Sequence, residues 1–533
     1  MTRRYQVVII GGGPVGTALA VMLGTRGISC AVVESRTGQS LIPKGQNLTH
    51  RTLEHFYFWG LADALREARV MPRGFPIGEI TTRGNLMSPY WHAPAGREVI
   101  RPYFFQDNER LPQYQTEAVL RSRLATLPHV DCLSGWSADS IEQDADSARA
   151  TIREGNGTER AVLEADYVVG CDGSHSMVRS SLGVERRGTD FDQVMVLVVF
   201  RSRELHEGLK RRFPERSIYR AMQPELKGHW QFFGRIDVGE GWFFHAPVSK
   251  DTNREGFHFH GLLQEAAGFE FACTFDHVGF WDLSTAVAER YRVGRIFIAG
   301  DAAHSHPPYG GFGLNNGIED AVNLGWKLAA TLQGWGGDGL LQSYDAERRP
   351  VFEDIAESFI TARIREDDEF LNRYSPERDR AEFERAWKEK ENDIGDRFRS
   401  YETNYEGSPV IAGPLGGVCS AHGAHQFKAR AGHHLAPQLL SSGRNVFEEL
   451  GSGFTLLAFD TDATVVAFER AAQDYGVPLK IVRDSYCDER KAYEARLILV
   501  RPDQFIAWTG ERPPDDPAAL IAMANGRGGR QVA

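Results

Sequence analysis

Residues 5–16 read YQVVIIGGGPVG, a short apolar run that ends in a cluster of glycines. Such a run is typical of a parallel strand buried on both faces. The spacing Gly11-x-Gly13-x-x-Gly16 predicts a tight turn into a helix, where the second glycine lets a pyrophosphate approach the backbone. Glu34 ends the next apolar run, at the place where a carboxylate binds a ribose hydroxyl. The stretch therefore predicts a dinucleotide-binding βαβ unit rather than a glycine-rich turn without a ligand.

The composition excludes several classes of protein. Of the 533 residues, 42% are hydrophobic and 25% are charged, which is neither a disordered nor a collagen-like composition. The net charge of −11 argues against nucleic acid or an anionic membrane as the main partner. No apolar run reaches the roughly eighteen residues of a transmembrane helix. The six cysteines form no CxxC pair, so we expect no disulfide framework, no metal site and a cytoplasmic location.

A second segment distinguishes between the possible dinucleotides. Residues 294–328 read GRIFIAGDAAHSHPPYGGFGLNNGIEDAVNLGWKL: a strand, a Gly-Asp pair, a glycine-rich loop and a long helix. With this segment the chain resembles the class A flavoprotein aromatic hydroxylases, which are FAD-dependent phenol monooxygenases. The resemblance implies that the Asp301 carboxylate meets a ribityl hydroxyl of FAD. It also implies that the turn 313–315 offers backbone amides to the N1–C2=O edge of the flavin, where a helix N-terminus would stabilise the reduced anion.

Shorter segments extend the resemblance. Asp172 in CDGSHS matches a motif that the family uses for both FAD and NAD(P)H. Gln115 in LPQYQTEAVLRSRL and Arg51 in KGQNLTHRTLE match positions beside the cofactor. No second GxGxxG with a matching acidic residue follows, as expected where the pyridine nucleotide binds only transiently. The predicted FAD contacts are Gly11, Gly13, Pro14, Gly16, Glu34, Arg36, Arg51, Gln115, Asp172, Asp301, Gly313, Leu314 and Asn315.

The resemblance also implies a domain organisation. We expect an α/β FAD-binding domain of Rossmann type, similar to glutathione reductase, with a β-rich substrate domain and a C-terminal thioredoxin-like α/β domain. The thioredoxin-like assignment comes from the wording LVRPD at 499–503, and the absence of CxxC indicates a structural or dimer-related module. The expected ranges are 1–185 plus 285–355 for FAD, 186–284 with strands from 75–105 for substrate, 356–410 for a helical connector, 411–525 for the thioredoxin-like domain and 526–533 for a flexible tail.

The resemblance implies an activity as well. FAD would be bound tightly and non-covalently, NAD(P)H would be a transient reductant and O₂ a co-substrate. A small phenolic substrate would then be hydroxylated through a flavin C4a-hydroperoxide. The alternatives are a flavin-dependent oxygenase that acts on a polyketide, quinone or antibiotic, and a non-catalytic FAD-binding protein. A halogenase is disfavoured because no WxWxIP segment occurs. The oligomeric state is open, with a homodimer as one expectation.

The substrate site is less clearly marked. Pro308 matches the second of two paired prolines in the family loop, where a proline carbonyl faces the substrate. Some related phenol hydroxylases have a histidine where this chain has Gln46, so the base is open and His50, one turn on, is the candidate. Tyr219 and Arg235 are further catalytic candidates, Arg235 as a holder of a phenolate or carboxylate. The candidate substrate contacts are Gln46, Pro307, His229, Trp230, Phe232, Phe243 and His245, although strand aromatics often belong to an ordinary core.

Overall fold

The computed structural model describes residues 2–155, 157–460 and 465–528. The first third of the chain forms β1 (Thr2–Ile10), α1 (Pro14–Gly24), β2 (Cys30–Glu34), β3 (Asn47–Leu48), α2 (His50–Phe58), α3 (Ala62–Glu67), β4 (Glu79–Arg83), β5 (Trp91–His92), β6 (Glu109–Arg110), α4 (Gln113–Leu124), β7 (Val130–Ser134), β8 (Trp136–Gln143), β9 (Ala148–Glu154), β10 (Arg160–Gly170), α5 (Met177–Ser181) and β11 (Arg186–Arg187). The middle forms β12 (Asp190–Arg201), α6 (Arg203–Arg212), β13 (Ile218–Met222), β14 (Trp230–Arg235), β15 (Gly241–Ser249), α7 (Phe259–Ala267), β16 (Thr274–Ser284), β17 (Ala286–Ala288), β18 (Arg292–Val293), β19 (Ile296–Ile298), β20 (His304–Ser305) and α8 (Phe312–Leu332). The last third forms α9 (Asp338–Asp354), α10 (Ala362–Arg373), α11 (Arg380–Ser400), β21 (Tyr401–Tyr405), β22 (Cys419–His422), α12 (Val446–Glu449), β23 (Phe454–Phe459), α13 (Val465–Asp474), β24 (Leu479–Asp484), β25 (Leu497–Val500), β26 (Ile506–Gly510) and α14 (Pro517–Ala524).

The first sheet brings the motif loops together. Its strand order is β18-β19-β10-β1-β2-β7, and β19, β10, β1, β2 and β7 run parallel. The apolar run of β1 is fully buried because α1 and α8 pack in the same core. Ile10 pairs with Gly170, and Gly170 pairs with Ile298. The loops that begin at Gly11, Cys171 and Ala299 therefore leave the same edge of the sheet.

The second sheet has seven strands in the order β16-β12-β15-β14-β13-β4-β5. Strands β4 and β5 come from residues 79–92 and β13 pairs with β4 in parallel, so an early segment of the chain completes this sheet. Successive strand residues point to opposite faces. One face carries Trp230, Phe232 and Phe243 and shares the core of the first sheet and α8. The other face carries Phe233 and packs with α6 and α7 in a separate core.

The third sheet, of order β24-β23-β25-β26, lies in the last part of the chain. Strands β23 and β24 are parallel, and β25 is antiparallel to both β23 and β26. The sequence predicts a helix over Ala463–Tyr475 between β23 and β24; Ala463 lies outside the described residues, and the described part of this helix is α13. In the expected flexible tail, the Gly526 carbonyl accepts from the Gly339 amide, and the amides of Arg527 and Gly528 donate to the Ala522 carbonyl. Residues 529–533 are outside the described part.

The charge-rich composition of residues 363–399 predicts a helical face that is exposed to solvent, but part of this stretch is buried. Asp367, Phe383 and Trp387 are buried, so α10 and α11 pack on the second sheet rather than presenting a solvated face. A π-helical segment, Ile355–Thr361, joins α9 to α10. Among the described helices, none has both the length and the apolar character needed to cross a membrane.

Candidate functional site

The glycine turn after β1 leaves room for a ligand at one glycine only. Gly11 has φ +105°, and a Cβ there would lie 2.3 Å from the carbonyl oxygen of Cys171. A Cβ on Gly16 would lie 1.9 Å from the carbonyl oxygen of Gly11. A Cβ on Gly13 would meet no atom within 4 Å. The first and third glycines thus serve the fold, and the second opens onto free space at the N-terminus of α1, which attracts anions.

Glu34 and Arg36 form one hydrogen-bonded unit beside this turn. Glu34 Oε2 accepts from the Gly12 amide at 2.9 Å, and Glu34 Oε1 accepts from the Arg36 amide at 2.9 Å. The Arg36 side chain donates to the same oxygen at 3.0 Å. Burial alone would raise the pKa of Glu34, but the bonds from Arg36 and Gly12 outweigh it and lower that pKa. Glu34 is therefore an ionised acceptor, as a ribose contact requires.

Asp301 lies on the loop that follows β19, at the same edge of the first sheet as the glycine turn. Its side chain is accessible and takes no hydrogen bond from any described residue. Surrounding protein desolvates the carboxylate and raises its pKa, while the charges of His304, Lys44 and Arg186 act in the opposite direction. An accessible but closely surrounded carboxylate is suited to accept hydrogen bonds from a bound hydroxyl group.

Asp172 supplies a second unsatisfied acceptor. Its Oδ2 accepts from the Val178 amide at 3.0 Å, but its Oδ1 is buried and has no hydrogen-bond partner in the part of the chain that the structure describes. Buried polar atoms without partners are rare and costly, so a donor from a bound molecule is expected here. Arg179 donates to the carbonyls of Ala302 at 2.8 Å and Ser174 at 3.0 Å, which ties this segment to the Asp301 loop.

Two glycines lead the chain into the N-terminus of α8. Gly310 and Gly311 both have left-handed φ angles, +73° and +66°, which a residue with a Cβ rarely adopts. The Asn315 side chain donates to the carbonyls of Asn47 at 2.9 Å and Gly311 at 2.7 Å, and accepts from the Thr49 amide at 2.9 Å. Asn315 thus shapes the turn with its side chain. The first-turn amides, which include those of Gly313 and Leu314, have no acceptor within the helix.

A buried aspartate holds the Asp301 loop against α8. Asp320 accepts from the Gly300 amide at 3.0 Å, pairs with His304 Nε2 at 2.6 Å and receives Arg348 Nε at 2.7 Å. Burial would raise the pKa of Asp320, but His304 and Arg348 lower it below its ordinary value. The sequence marked neither Asp320 nor Arg348, since their roles depend on a contact between two helices.

Two further residues predicted to contact FAD, Pro14 and Gln115, lie on different helices. Pro14 is the first residue of α1, and Gln115 is half-buried in the first turn of α4. Two residues before Gln115, Gln113 accepts from the Gly45 amide at 3.2 Å, and Arg121 donates to the Gly12 carbonyl at 2.9 Å. These bonds connect α4 to the glycine turn.

The placement of Arg51 does not support the predicted contact with FAD. Its guanidinium donates to Gln504 Oε1 at 2.8 Å and to the carbonyl of Asp503, and it pairs with Glu54 at 3.2 Å and Glu319 at 3.3 Å. Since these groups surround the guanidinium, Arg51 joins α2 and α8 to the last part of the chain. The partner segment is about 450 residues away in sequence, so the motif could not reveal it.

The placement of His50 does not support a role as general base. The side chain is 1% exposed, neither ring nitrogen has a partner, and the ring stacks on Phe104 at 5.4 Å. Burial first, then the charges of Arg97 and Arg101, lower the pKa of His50 to about 3. A base with so low a pKa takes up a proton poorly near neutrality.

The face of the second sheet that shares the core with α8 carries most of the predicted substrate contacts. The ring centroids of Phe232 and His245 are 4.9 Å apart, and those of His245 and Trp281 are 5.3 Å apart. Phe243 and Trp230 belong to the same face. Burial lowers the pKa of His245 to about 3, so its ring is neutral. We call these residues (Trp230, Phe232, Phe243, His245 and Trp281) the aromatic wall.

Tyr219 and Arg235 lie on the opposite face, so their predicted catalytic roles are not supported. Tyr219 pairs with Phe233 and packs in the core formed with α6 and α7. Arg235 donates to Tyr219 Oη at 3.1 Å, contacts His206 and lies 4.4 Å from the Trp242 ring. The pleat of β13 and β14 sets this orientation, because each shift by one residue changes the face.

The loop of the paired prolines docks on the aromatic wall through the next residue, Tyr309. Its hydroxyl accepts from the Trp230 amide at 3.2 Å and lies 3.2 Å from His229 Nδ1. The rings of Tyr309 and Trp230 are 4.4 Å apart. Arg97 donates to the Gly310 carbonyl at 2.7 Å. Pro307 and Pro308 therefore belong to a loop that Tyr309 fixes to the wall just before α8 begins, and their contacts with cofactor and substrate stay predictions.

Arg110 is a buried cation that the sequence analysis missed. It donates to Asn47 Oδ1 at 2.7 Å and to the Arg235 carbonyl at 2.8 Å, and it lies 5.9 Å from the Phe243 ring. No carboxylate of a described residue pairs with it. Burial, with the charge of Arg235, lowers its pKa to about 9. Gln46, 6% exposed, accepts from the Leu111 amide beside it. The two-residue strands β3 and β6 that create this arrangement leave no visible pattern in a sequence.

The chain matches two sequence families over most of its length. The model of the FAD-binding domain family matches residues 4–358. The model of the aromatic-ring hydroxylase C-terminal domain matches residues 429–527. The space at Gly13, the unpartnered Asp172 oxygen and the accessible Asp301 fit the pyrophosphate and hydroxyl groups that FAD presents.

Individual proteins are similar over nearly the whole chain. The 4-methyl-5-nitrocatechol 5-monooxygenase of Burkholderia sp is 30% identical over 97% of this chain and 96% of its own. The tetracenomycin A2 monooxygenase-dioxygenase of Streptomyces glaucescens is 28% identical over 98% of this chain and 96% of its own. The solved structure of the rebeccamycin biosynthetic enzyme RebC with reduced flavin is 28% identical, with a TM-score of 0.83 over 99% of this chain and 100% of that one.

Proposed function

The chain belongs to the family of FAD-dependent aromatic-ring hydroxylases, and we propose that it oxygenates a fused-ring aromatic substrate of the polyketide or antibiotic type with NAD(P)H as the reductant. FAD is its cofactor. The proposal of a fused-ring substrate replaces the small phenol that we expected first. It is supported by the names of the tetracenomycin and rebeccamycin relatives and, above all, by the row of aromatic side chains that forms the aromatic wall.

The aromatic wall would bind the flat rings of such a substrate. Reduced FAD supplies the electrons that activate O₂ for insertion into an aromatic C–H bond. Aromatic side chains bury large areas and hold a flat ring in offset or edge-on geometry. Trp230, Phe232 and Phe243 offer several such contacts in a row along β14 and β15. Tyr309 holds the proline loop on this wall, which helps to exclude water from the reacting face.

Arg110 would assist ionisation of a substrate hydroxyl. Its buried guanidinium has no carboxylate partner among the described residues and lies between Asn47 and Phe243. A positive charge favours the phenolate over the phenol, which lowers the pKa of a hydroxyl nearby. The ring is then more electron-rich without a general base at His50. The free amides at the start of α8 would likewise stabilise negative charge on the flavin edge.

We also infer that the last domain is thioredoxin-like. The order β24-β23-β25-β26, with a parallel β23-α13-β24 unit, an antiparallel β25-β26 hairpin and α14, supports this assignment. Cys487 is the cysteine within this sheet region and it has no cysteine partner, so a dithiol reaction is not proposed.

The experiment that tests the activity measures NADH and NADPH oxidation by the purified flavoprotein with a panel of phenols, naphthols and hydroxyanthraquinones. Oxygen uptake, H₂O₂ and oxygenated product are quantified in the same samples. We expect a fused-ring compound to stimulate oxidation and to yield oxygenated product in proportion. Oxidation that gives H₂O₂ alone with every compound would contradict the proposed substrate class. A flavoprotein that no compound stimulates would favour a non-catalytic FAD-binding protein.

A further inference from the structure

A surplus positive charge lies against the aromatic wall beside Trp230. The Arg363 guanidinium carbon on α10 is 4.1 Å from the centroid of the Trp230 ring, and the guanidinium carbon of Arg220 is 4.2 Å from the same centroid. Arg220 pairs with Phe232 in the sheet and therefore points to the same face as the wall. The two arginines thus flank one indole on the face that shares its core with α8.

The nearby carboxylates are already engaged. Asp367 accepts from Trp230 Nε1 at 2.9 Å, pairs with Lys390 at 2.7 Å and with Arg220 at 3.5 Å. Glu79 pairs with Arg220 at 3.5 Å. Three positive groups, Arg363, Arg220 and Lys390, therefore face two carboxylates, Asp367 and Glu79, and one positive charge is unbalanced.

Arg363 carries this unbalanced charge. It is half-buried, and none of the described residues forms a hydrogen bond or an ion pair with its guanidinium. Desolvation and the neighbouring Arg220 lower its pKa to about 9, so the group would gain by binding an anion. Stacking on a ring leaves the N–H donors at the guanidinium edge free, and their planar arrangement suits two oxygen atoms.

We propose that Arg363, stacked on Trp230, binds an anionic oxygen group of the aromatic substrate, either a carboxylate or an ionised hydroxyl. This subsite would make the protein select acidic fused-ring compounds over their neutral counterparts. The inference rests on the proposed function, because it assigns the substrate of that reaction to the aromatic wall.

The test measures binding through the absorbance change of the bound FAD with two matched pairs of probes. 6-Hydroxy-2-naphthoate against 2-naphthol tests a carboxylate, and 2-hydroxy-1,4-naphthoquinone against 1,4-naphthoquinone tests an ionised hydroxyl. We expect the anionic member of at least one pair to bind about tenfold more tightly or better. The substitution Arg363→Gln should remove that preference and leave the neutral probes unaffected. Arg365→Gln, at an exposed arginine on the same helix, is the matched control and should keep the preference.

Two results would overturn the subsite: the absence of any anionic preference in the unmodified protein, or a preference that survives in Arg363→Gln. FAD content and melting temperature, compared with those of Arg365→Gln, report whether the variant is folded. Product analysis in the same samples distinguishes a failure of the Arg363 subsite from a failure of the proposed oxygenase function. A preference that depends on Arg363, without oxygenated product from any compound, would refute the proposed function and leave the subsite standing.

Discussion

At the scale of single residues, Gly11 and Gly13 illustrate two separate demands on one turn. An alanine at position 11 would need a left-handed backbone and would collide with the Cys171 carbonyl. An alanine at position 13 would meet no protein atom. The first position is constrained by the fold, and the second is open to the cofactor.

We therefore predict that Gly13→Ala weakens FAD binding at least about tenfold because its methyl group occupies the space for the pyrophosphate. The apoprotein should lose no more than about 1 kcal/mol of unfolding free energy. Quenching of FAD fluorescence on titration of apoprotein measures the affinity. Gly11→Ala is the contrasting variant: the left-handed backbone should cost about 1–3 kcal/mol, and the collision with the Cys171 carbonyl should add to this loss. Equal FAD affinity in Gly13→Ala and the unmodified protein would contradict the placement of the pyrophosphate.

Arg110 and His50 provide a second contrast between residues. Removal of the Arg110 charge should raise the pKa of the bound substrate hydroxyl, so the pH at which kcat rises should move upwards. We predict a shift of about one pH unit for Arg110→Gln, which corresponds to about 1.4 kcal/mol. The profile of kcat against pH with a hydroxylated fused-ring substrate measures it.

The control is His50→Phe, which keeps a ring against Phe104. Its profile should match that of the unmodified protein, since a histidine with a pKa of about 3 is not the proton acceptor. If His50→Phe moved the profile and Arg110→Gln did not, the electrostatic explanation would be wrong.

At the scale of elements, Asp320 connects α8 to α9 and to the loop that carries Asp301. From α8 it holds the Gly300 amide, His304 and, on α9, Arg348. The carboxylate is completely buried, and replacement by an amide would leave Arg348 and His304 without their partner.

We predict that Asp320→Asn lowers the unfolding free energy by about 3–5 kcal/mol, because it breaks a buried ion pair on one side. FAD should also be lost more readily, since Asp301 lies on the loop that Asp320 holds. Denaturant unfolding and the flavin content after gel filtration measure the two effects. Asp396→Asn, at an exposed ion pair with Arg399, should cost well under about 1 kcal/mol. Similar losses of unfolding free energy in Asp320→Asn and Asp396→Asn would show that the buried contacts of Asp320 do not stabilise the fold.

At the scale of the whole molecule, a buried charge network joins the last domain to α8 and α9. Glu347 accepts from Lys327 at 2.6 Å and pairs with Arg501 at 2.6 Å. Arg501 also pairs with Asp503, which accepts from Trp326 Nε1 at 3.0 Å. Within LVRPD, Arg501 and Asp503 thus attach this domain to α8 and α9.

The network predicts a stability that depends on pH. Burial would raise the pKa of Glu347, but Arg501 and Lys327 lower it well below its ordinary range. A carboxyl whose pKa is lowered by folding stabilises the protein above its unfolded pKa, near 4.3, and this contribution is lost as the pH falls further. Glu54 and Glu319, which hold Arg51 at the same interface, have lowered pKa values as well.

We therefore expect the melting temperature to fall steeply between about pH 5 and pH 3. In Glu347→Gln the melting temperature should be lower at pH 7, by the equivalent of about 3–5 kcal/mol, and should depend less on pH in this range. Calorimetric scans across the pH range measure both. An unchanged acid dependence in Glu347→Gln would show that this carboxyl is not responsible.

The sequence by itself determined the dinucleotide-binding turn, the Asp172 and Asp301 loops and the flavoprotein family. These features are local: each motif occupies a few residues after a buried strand, and parallel strands place their carboxyl ends at one edge. The convergence of these loops at one edge of the sheet could therefore be predicted before any contact was known, whereas the individual FAD contacts stay predictions.

Only the tertiary structure decided where the candidate substrate and catalytic residues lie. The strand register put Tyr219 and Arg235 on the face that packs with α6 and α7, and it put Trp230, Phe232 and Phe243 on the face that shares the core of the first sheet. Long-range contacts place Arg51 in the domain interface, and no carboxylate among the described residues pairs with Arg110 or Arg363. Sequence spacing predicts neither the face of a strand residue nor the partner of an arginine. A shift of one residue in a strand moves the side chain to the other face, and a partner hundreds of residues away leaves no local pattern.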